Sequence, residues 1–462
     1  MAPENVGIHA VQTYFPRNYV KQEDLEKYDK AGEGKYTKGL GQLEMGFCYD
    51  NEDVNSLALT VTAGLLETYN IDRNSIGFLC VGTETLVDKS KSVKTQLMQL
   101  FGENTDIEGV DVKNACFGGT QALLHGIDWV YSNYEFDKRL AIVVMADIAV
   151  YEKGSARCTG GAGAIALLIG PNAPIVMERG LRSFHMSDKK DFYKPIGGAA
   201  SEYPIVDGTL SLTVYFEAVD KCYSSYSQKS KKYINEDRTV NDFYSLLFHA
   251  PFYKMVQKAF GRLCFTDYER GSTTGLKNVE KLERLKSLST DERYNRDFQQ
   301  LTVASSNDLF HSKVNPNMQL NQRIGNMYTP SLYAQLVTLI SRVEDLQSLN
   351  DQKMLLFSYG SGAASAMFSF IFKLDSEMAM KELQFMQQVS KAAIDLLDKR
   401  CLHTPNEYND ALTNREKLTA AEAAYIPLAS QNGISQHLFP GAYYLTKIDE
   451  KKRRFYDRVP IQ

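Results

Sequence analysis

The sequence predicts a layered α/β fold built from two related halves, and three observations support this prediction. In the first third of the chain, apolar runs typical of strands alternate with helical stretches, which is the pattern of a parallel sheet covered by helices. Two glycine-rich turns, near positions 160 and 360, adjoin apolar strands. Two further turns that begin with asparagine each open a helix. Because the later features repeat the earlier ones, we expect an internal duplication.

The elements of the first half can be placed individually. Short apolar runs that contain branched residues predict buried strands, and longer runs with helical spacing predict helices. The predicted strands are residues 77–81 and 140–145, and the predicted helices are residues 54–69 and 120–129. A new strand begins at Ile175. We therefore place the two halves at residues 1–174 and 175–462.

The duplication depends on two pairs of turns. Thr159–Gly163 and Ser358–Gly362 are both rich in glycine and small residues, and both adjoin an apolar strand. Asn114–Thr120 and Asn326–Ser331 both lead into a helical run. The second half also carries polar insertions, notably residues 266–299, which are expected to cover a surface because they mix both signs of charge.

Composition and charge narrow the class of protein. The chain has 462 residues, of which 44% are hydrophobic, so it is long enough for two or more core units of a soluble globular enzyme. Its net charge of −4 comes from 52 basic and 56 acidic residues spread along the chain, and nothing points to a nucleic-acid partner. No run approaches the roughly 18 apolar residues that predict a membrane span.

The cysteines and the N-terminal residues bear on the compartment. The seven cysteines are widely spaced, contain no C-x-x-C pair and lack a histidine at metal-ligand spacing, so we expect free thiols and no metal site. The first residues have neither a charged-then-apolar signal nor an arginine-rich presequence. We therefore expect a cytoplasmic protein.

The leading candidate for a reacting group is Cys116, which lies in the turn Asn114–Thr120. A cysteine in the first turn of a helix faces unpaired backbone N–H groups and the positive end of the helix dipole, which favour the thiolate. Gly118 and Gly119 are expected to let the backbone and a substrate approach the sulfur closely. On this motif alone, the alternative that Cys116 is a small buried apolar residue stays open.

Two further residues could take part in catalysis with Cys116. Glu84 directly follows a predicted strand, and a carboxylate pushed into a cleft can have its pKa raised toward neutrality and act as a base. His249 ends an apolar strand, and Lys254 and Lys258 follow on one helical face, where paired ammonium groups suit a phosphate-bearing ligand. A surface glutamate, a core histidine and a solvated helix face are the alternatives.

Eight segments of the chain together resemble eukaryotic 3-hydroxy-3-methylglutaryl-CoA synthases. The segments are Gly34–Gln42, Val81–Lys94, Asn114–Thr120, Asp191–Pro195, Ser201–Gly208, Phe248–Lys258, Gly325–Thr329 and Ser358–Gly362. They occur in order from about residue 5 to about residue 458. The resemblance implies a thiolase-like fold of five layers, αβαβα, built from two related halves, and it implies a homodimer.

The resemblance also implies a reaction with three catalytic residues. Cys116 would take the acetyl group of acetyl-CoA as a thioester, and Glu84 would remove a proton from its methyl group. His249 would polarise the ketone of acetoacetyl-CoA while the new carbon–carbon bond forms. Water would then release 3-hydroxy-3-methylglutaryl-CoA, a precursor in the mevalonate pathway. Backbone donors beside Cys116 would hold the oxyanion.

The same resemblance assigns supporting residues, and it implies no metal and no cofactor besides the CoA thioesters. Lys254 and Lys258 would lie near the CoA phosphates, and Asn326 and Ser361 near the reacting acyl group. Further residues would line the cleft or support the site from behind it. The cleft would be lined by Ser155, Thr159 and Ser211, and the N-terminal loop would contribute Gly32 and Glu33. The supporting positions would be Asp147 and Asp191.

The chain departs from the usual animal pattern at positions that carry no reacting group. Phe117 replaces a tyrosine, Ala250 a serine and Cys158 a proline, and Gly197 and Gly198 belong to a longer loop.

Two alternatives are another acyl-CoA condensing enzyme of the same fold, and a non-catalytic scaffold that binds acyl-CoA. The first class, the thiolases and decarboxylating ketoacyl synthases, pairs its cysteine with a second cysteine or with histidine and asparagine, so Glu84 with one histidine favours the synthase. A scaffold would be favoured by the loss of a catalytic residue, and all three are present.

Overall fold

The computed structural model describes residues 3–195, 202–420, 424–431, 433 and 436–461 of the chain. Gly197 and Gly198 lie outside the described residues. The strands are β1 (Gly7–Tyr14), β2 (Asn18–Lys21), β3 (Glu44–Phe47), β4 (Ile76–Gly82), β5 (Asp111–Val112), β6 (Leu140–Ala149), β7 (Gly161–Gly170), β8 (Ile175–Met186), β9 (Phe192–Tyr193), β10 (Ile205–Val206), β11 (Ser245–Phe248), β12 (Lys353–Gly360), β13 (Ala364–Phe372), β14 (Cys401–His403), β15 (Tyr443–Ile448) and β16 (Arg454–Arg458).

Helices lie between these strands, and the predicted helices of both halves are among them. The helices are α1 (Gln22–Tyr28), α2 (Val54–Thr68), α3 (Val93–Leu97), α4 (Gly118–Asp137), α5 (Gly208–Ile234), α6 (Tyr253–Glu269), α7 (Val279–Leu282), α8 (Arg296–Ser305), α9 (Asn307–Lys313), α10 (Gln319–Ile324), α11 (Ser331–Arg342), α12 (Glu377–Leu396) and α13 (Pro405–Ala420). None of the described helices is long and apolar enough to span a bilayer.

The main sheet repeats one strand order in the two halves. Hydrogen bonds connect the strands in the order β11-β12-β13-β8-β1-β7-β6-β4-β5. In the first half β4 and β6 are parallel, while β7 is antiparallel to β6 and to β1. In the second half β11 and β12 are parallel, while β13 is antiparallel to β12 and to β8. This repetition confirms the predicted duplication.

The sheet is mixed, so the prediction of a parallel sheet is wrong for part of it. Only the strands that are connected through helices run parallel, as β4 and β6 do through α4. β12 and β13 are joined by the three residues 361–363, and so short a connection produces an antiparallel pair. The two halves meet where β1 pairs with β8, at Gly7 opposite Val176 and Ile8 opposite Ile175.

Two helices fill the layer between the halves. The buried side of α4 packs on β4, β6 and β7, and residues 331–341 of α11 are buried throughout and pack on β11, β12 and β1. The Thr120 hydroxyl on α4 lies 2.8 Å from the Tyr333 hydroxyl on α11 and donates to Ser358 Oγ on β12 at 2.7 Å. With α2 on the first sheet half and α5 on the second, the layers follow the expected αβαβα order.

Candidate active site

Cys116 lies in a tight turn between β5 and α4. Ala115 has a φ of +44°, and the N–H groups of Phe117 and Gly118 donate to the carbonyls of Asn114 at 3.1 Å and Ala115 at 3.2 Å. Helix α4 begins at Gly118, so Cys116 stands just ahead of the helix and not within its first turn. The turn thus fixes the sulfur through backbone geometry.

Gly118 and Gly119 allow the close backbone approach that the sequence predicts. Both are buried, and the Gly118 N–H is already bonded within the turn. A Cβ on Gly118 would lie 2.7 Å from the Val112 carbonyl oxygen, and one on Gly119 would lie 2.8 Å from Met145 Cγ. The two glycines therefore let α4 start directly against the sheet.

The predicted preference of Cys116 for the thiolate is wrong. Burial raises the pKa of the Cys116 thiol well above its usual value, and the carboxylates of Glu84 and Asp147 raise it further, while Lys194 lowers it. These carboxylates and the loss of water outweigh the nearby helix terminus. Cys116 packs against an apolar cluster formed by Ala149, Tyr151 and Tyr328, and Ala156 and Phe192 pack against the same cluster.

Glu84 is a buried carboxylate at the end of β4. It is 8% exposed, and its Oε1 accepts a hydrogen bond from Lys194 Nζ at 2.8 Å. Burial raises its pKa to about 7; Asp147 acts in the same direction, and Lys194 acts against both. This raised pKa is the property that the sequence predicts for a base.

Asp147, at the end of β6, holds the Glu84 segment in place. Its Oδ1 accepts hydrogen bonds from the Glu84 N–H at 2.9 Å and from both the N–H and the hydroxyl of Thr85 at 3.0 and 2.8 Å. The Thr83 hydroxyl also donates to Oδ1 at 2.8 Å. Its Oδ2 accepts from the N–H and hydroxyl of Thr329. Asp147 is fully buried and therefore supports the site without facing the cavity.

His249 follows β11 and is fixed through its backbone. Its N–H donates to the Phe357 carbonyl at 2.7 Å, and its carbonyl accepts from the Tyr215 hydroxyl at 2.7 Å. Its ring stacks on that of Tyr359 at 6.4 Å, and Tyr359 in turn lies close enough for Cys116 to affect its pKa. Burial lowers the pKa of His249 to about 3, so the imidazole is neutral at pH 7.

Asp191 fixes the glycine turn of the second half. Its carboxylate accepts hydrogen bonds from the Tyr359 hydroxyl and from the Gly362 N–H, both at 2.9 Å, and Ser211 Oγ donates to its backbone carbonyl at 3.0 Å. Ser361 lies in this turn, and its carbonyl accepts from the Asn114 side chain at 3.3 Å. The turn that carries Ser361 therefore contacts the turn that carries Cys116.

Two more predicted residues lie in turns around the sulfur. Asn326 is buried, and its Oδ1 accepts from the Tyr328 N–H at 2.9 Å and from Ser331 Oγ at 3.0 Å. Thr159 is half-buried and lowers the pKa of Tyr151 through a side-chain hydrogen bond. Ser155 is exposed in the same loop as Thr159.

A basic cluster lies at the start of α6. Lys254 and Lys258 are half-buried, and the pKa of Lys258 is lowered by burial and then by the nearby charges of Lys254 and Arg296. The N-terminal loop is adjacent, because the Tyr253 N–H donates to Gln42 Oε1 at 3.0 Å. Gly32 and Glu33 are exposed in this loop, and Gly32 has a φ of +94°.

A cavity of about 470 Å³ connects several of these residues to the surface. Its lining includes Glu84, Asn114, Phe192, Lys194 and Ser361. A separate groove of about 680 Å³ includes Gly32 and Glu33. Within the described residues, no group of three or more His, Cys, Asp or Glu side chains is placed to hold a metal ion.

Sequence reasoning missed Lys194, Arg296, Thr329 and Tyr359 as parts of the site. Lys194 belongs to a segment that carried the family resemblance, but its partner Glu84 is 110 residues away. Arg296 lies in the charged stretch that was expected to be ordinary surface. Both contacts depend on tertiary structure, although the resemblance marked the segment of Lys194.

The three residues that depart from the usual animal pattern, Phe117, Cys158 and Ala250, are all buried.

Family models and known proteins of one family match nearly the whole chain. The family model described as the N-terminal domain of hydroxymethylglutaryl-coenzyme A synthase matches residues 2–174, and that of the C-terminal domain matches residues 175–459. The hydroxymethylglutaryl-CoA synthase of Caenorhabditis elegans is 46% identical over 452 residues, which is 98% of this chain and 94% of that protein.

Human relatives and a solved structure give the same result. The human mitochondrial synthase is 44% identical, covering 99% of this chain and 90% of that protein, and the human cytoplasmic synthase is 43% identical, covering 99% and 88%. The solved structure of MvaS in complex with 3-hydroxy-3-methylglutaryl coenzyme A has a TM-score of 0.80 and 28% identity and covers 99% of each chain. The chain belongs to the hydroxymethylglutaryl-coenzyme A synthase family.

Proposed function

We propose that Cys116, Glu84 and His249 carry out the reaction of this family. In that reaction acetyl-CoA, acetoacetyl-CoA and water give (S)-3-hydroxy-3-methylglutaryl-CoA and CoA, a step of the mevalonate pathway. The observation that carries this assignment is the half-buried Cys116 thiol next to the buried Glu84 carboxylate, whose pKa is about 7. Mass spectrometry after incubation with acetyl-CoA, followed by acetoacetyl-CoA, tests it.

The first step is transfer of the acetyl group to Cys116. The sulfur attacks the thioester carbonyl, the bond to the CoA sulfur breaks, and the thiol proton ends on the departing CoA. Because the pKa of the Cys116 thiol is raised, the resting group is neutral. The apolar wall formed by Tyr151, Phe192 and Tyr328 then excludes water from the acetyl-enzyme.

The second step forms the new carbon–carbon bond. Glu84 takes a proton from the acetyl methyl group, and the electron pair of that C–H bond attacks the ketone carbon of acetoacetyl-CoA. Neutral His249 can donate a hydrogen bond to the ketone oxygen. That oxygen becomes a hydroxyl when it gains the proton that Glu84 took from the methyl group, and Glu84 thereby returns to the carboxylate. Water finally hydrolyses the thioester to Cys116.

The rate of condensation should depend on pH through Glu84. The base acts as the carboxylate, whose pKa is about 7, so kcat/KM is expected to fall about tenfold per pH unit below that value and to level off above it. The pKa of His249, about 3, adds no inflection from about pH 5 to pH 8. A rate profile measured over that range checks this. A decline in kcat/KM as the pH rises through 7 would contradict it.

The two halves are proposed to divide the site. Residues 1–174 supply the nucleophile and the base, and residues 175–462 supply His249 and the CoA-binding lysines. Gly32, Glu33, Ser155, Thr159 and Ser211 are proposed to contact substrate around the cleft. Asn326 and Ser361 are proposed to lie near the acyl group, with Asp147 and Asp191 behind them.

Lys258 is proposed to bind the CoA phosphates together with Lys254. Substituting Lys258→Ala should raise the KM for acetyl-CoA about tenfold to a hundredfold, because a charged hydrogen bond is lost, while kcat changes less than about threefold. Lys281→Ala, which removes an exposed lysine on α7, is the control. Equal KM values for both variants in steady-state assays would contradict the assignment.

The chain is proposed to act as a homodimer in the cytoplasm. β5 is an edge strand, and the neighbouring Val110 is 63% exposed, so a symmetric contact at this edge would cover it. Sedimentation should give twice the chain mass of 52.1 kDa. All seven cysteines are free, which suits a reducing compartment, and cell fractionation distinguishes cytoplasm from mitochondria.

No resident metal or other cofactor is proposed. The nucleophile, the base and the hydrogen-bond donor that the reaction needs are all side chains of this chain. Dialysis against a chelator should leave the activity unchanged.

A different condensing enzyme or a non-catalytic scaffold would give other products. A scaffold would bind acetyl-CoA without a covalent adduct. A thiolase or a ketoacyl synthase would form an adduct and yield no 3-hydroxy-3-methylglutaryl-CoA.

A further inference from the structure

We propose that Lys194 is a positioning residue for Glu84, whose carboxylate it holds by one oxygen so that the other is free to take the methyl proton. The proposal rests on the proposed function, because it takes Glu84 as the base. None of the steps proposed for Cys116, Glu84 and His249 requires a lysine at this place. Lys194 would act on the reaction through Glu84 alone.

The two carboxylate oxygens of Glu84 have different surroundings. Oε1 is 2.8 Å from Lys194 Nζ, and the side chains of Glu84 and Lys194 are 5% and 20% exposed. Oε2 is buried and forms no hydrogen bond of good geometry within the described residues, although the Cys116 side chain lies close enough to the carboxylate for a hydrogen bond that lowers the pKa of Glu84. A buried carboxylate oxygen without a hydrogen-bond donor destabilises the folded protein, so it calls for an explanation in terms of function. In the acetyl-enzyme, the methyl group on Cys116 would bring to this oxygen the proton that Glu84 removes.

Lys194 is itself held in place by aromatic rings. Its ammonium lies 4.4 Å from the centre of the Tyr328 ring and 5.6 Å from that of Phe192. Contacts of this kind attract a cation to the ring face and restrict where it can go. The ammonium therefore offers Glu84 a fixed donor, unlike the mobile head of a surface lysine.

The charges around Glu84 give Lys194 a second effect. Five titratable groups interact with Glu84, and they lie next to four elements: Asp147 near the end of β6, Tyr151 just after β6, Cys116 before α4, Tyr328 before α11 and Lys194 after β9. Asp147 raises the pKa of Glu84, and Lys194 is the largest influence that lowers it. Without Lys194, burial and Asp147 would raise the pKa of Glu84 further.

The test compares Lys194→Met, which keeps the length without the charge, with Lys194→Arg, which keeps the charge. Lys190→Met removes an exposed lysine four residues earlier and is the matched control. Each variant is incubated with acetyl-CoA in D₂O, so that formation of the acetyl-enzyme and exchange of its methyl hydrogens are measured separately by mass spectrometry. Condensation is then followed as a function of pH.

Lys194→Met should acetylate Cys116 at a rate within about threefold of the parent, while methyl exchange and condensation at pH 7 fall about tenfold to a hundredfold. The midpoint of its pH profile should move upward, so that activity recovers in alkaline buffer. Lys194→Arg should restore the midpoint. An unshifted midpoint in Lys194→Met overturns the proposal, whether or not the rates fall.

A double variant separates this proposal from the assignment of the base. If Lys194 acts only through Glu84, adding Lys194→Met to Glu84→Gln should cause no further loss of exchange. A further loss of tenfold or more would overturn the positioning role. If Glu84→Gln alone leaves exchange intact, the assignment of Glu84 as the base fails, and Lys194 fails with it.

Discussion

Cys116→Ala should form no acetyl adduct, and its condensation rate should fall by at least about 10⁴-fold. The substitution removes the proposed nucleophile, so acetyl transfer and all later steps should be lost together. No other thiol is placed to replace it, since five of the remaining six cysteines are buried elsewhere and Cys401 lies on β14. Intact-protein mass spectrometry after brief exposure to acetyl-CoA measures the adduct.

Cys401→Ala is the matched control, because it removes the other partly exposed thiol. This variant should acetylate and condense like the parent chain. The fold of Cys116→Ala should survive, since a methyl group fits where the half-buried Cys116 thiol lies, and its removal leaves no buried charge without a partner. An adduct of acetyl mass that persists on Cys116→Ala would place the nucleophile elsewhere.

Glu84→Gln should acetylate Cys116 and then fail to condense. The amide has nearly the shape of the carboxylate but cannot take the methyl proton, and loss of such a base costs about 10²–10⁴-fold. Acetylation should persist because the Glu84 carboxylate raises the pKa of the Cys116 thiol, and the neutral amide removes that influence. The expected observation is an acetyl-enzyme that accumulates and does not exchange its methyl hydrogens in D₂O.

Glu103→Gln, at an exposed position in the same half, serves as the control and should condense normally. Condensation by Glu84→Gln within tenfold of the parent rate would contradict the role of Glu84. Failure of this variant to acetylate would also contradict the division of the two steps, because it would show that Glu84 is needed for the transfer to Cys116.

The predicted elements of the first half were recognisable because their sequence signals are local. The predicted runs at residues 77–81 and 140–145 within β4 and β6 are apolar throughout, as is typical of strands buried on both faces, and the stretches that form α2 and α4 have helical spacing. The direction of β7 and β13 has no such local signal. It depends on how short the connections are, and those lengths become known only when the strand ends are known.

The types of reacting residue in the site were predictable from the sequence, but the charges that shift their pKa values were not. The positions of Glu84 and His249 at strand ends left a surface glutamate and a core histidine open as alternatives, and in the structure both residues are buried. The state of Cys116 was misjudged because the helix terminus is visible in the sequence, whereas the carboxylates of Glu84 and Asp147 reach the sulfur only through folding. The contact of Lys194 with Glu84 was hidden for the same reason.

The hydrogen bonds of Asp147 have a consequence for how substrates enter. This one carboxylate ties the Glu84 segment of the first half to Thr329 of the second, and both lie deep in the layer where the halves meet. Hinge opening between the halves would break these bonds in a place that water does not reach. We therefore expect the two halves to stay together while substrate enters, so that any adjustment occurs among exposed residues of the cavity lining such as Leu86 and Lys89.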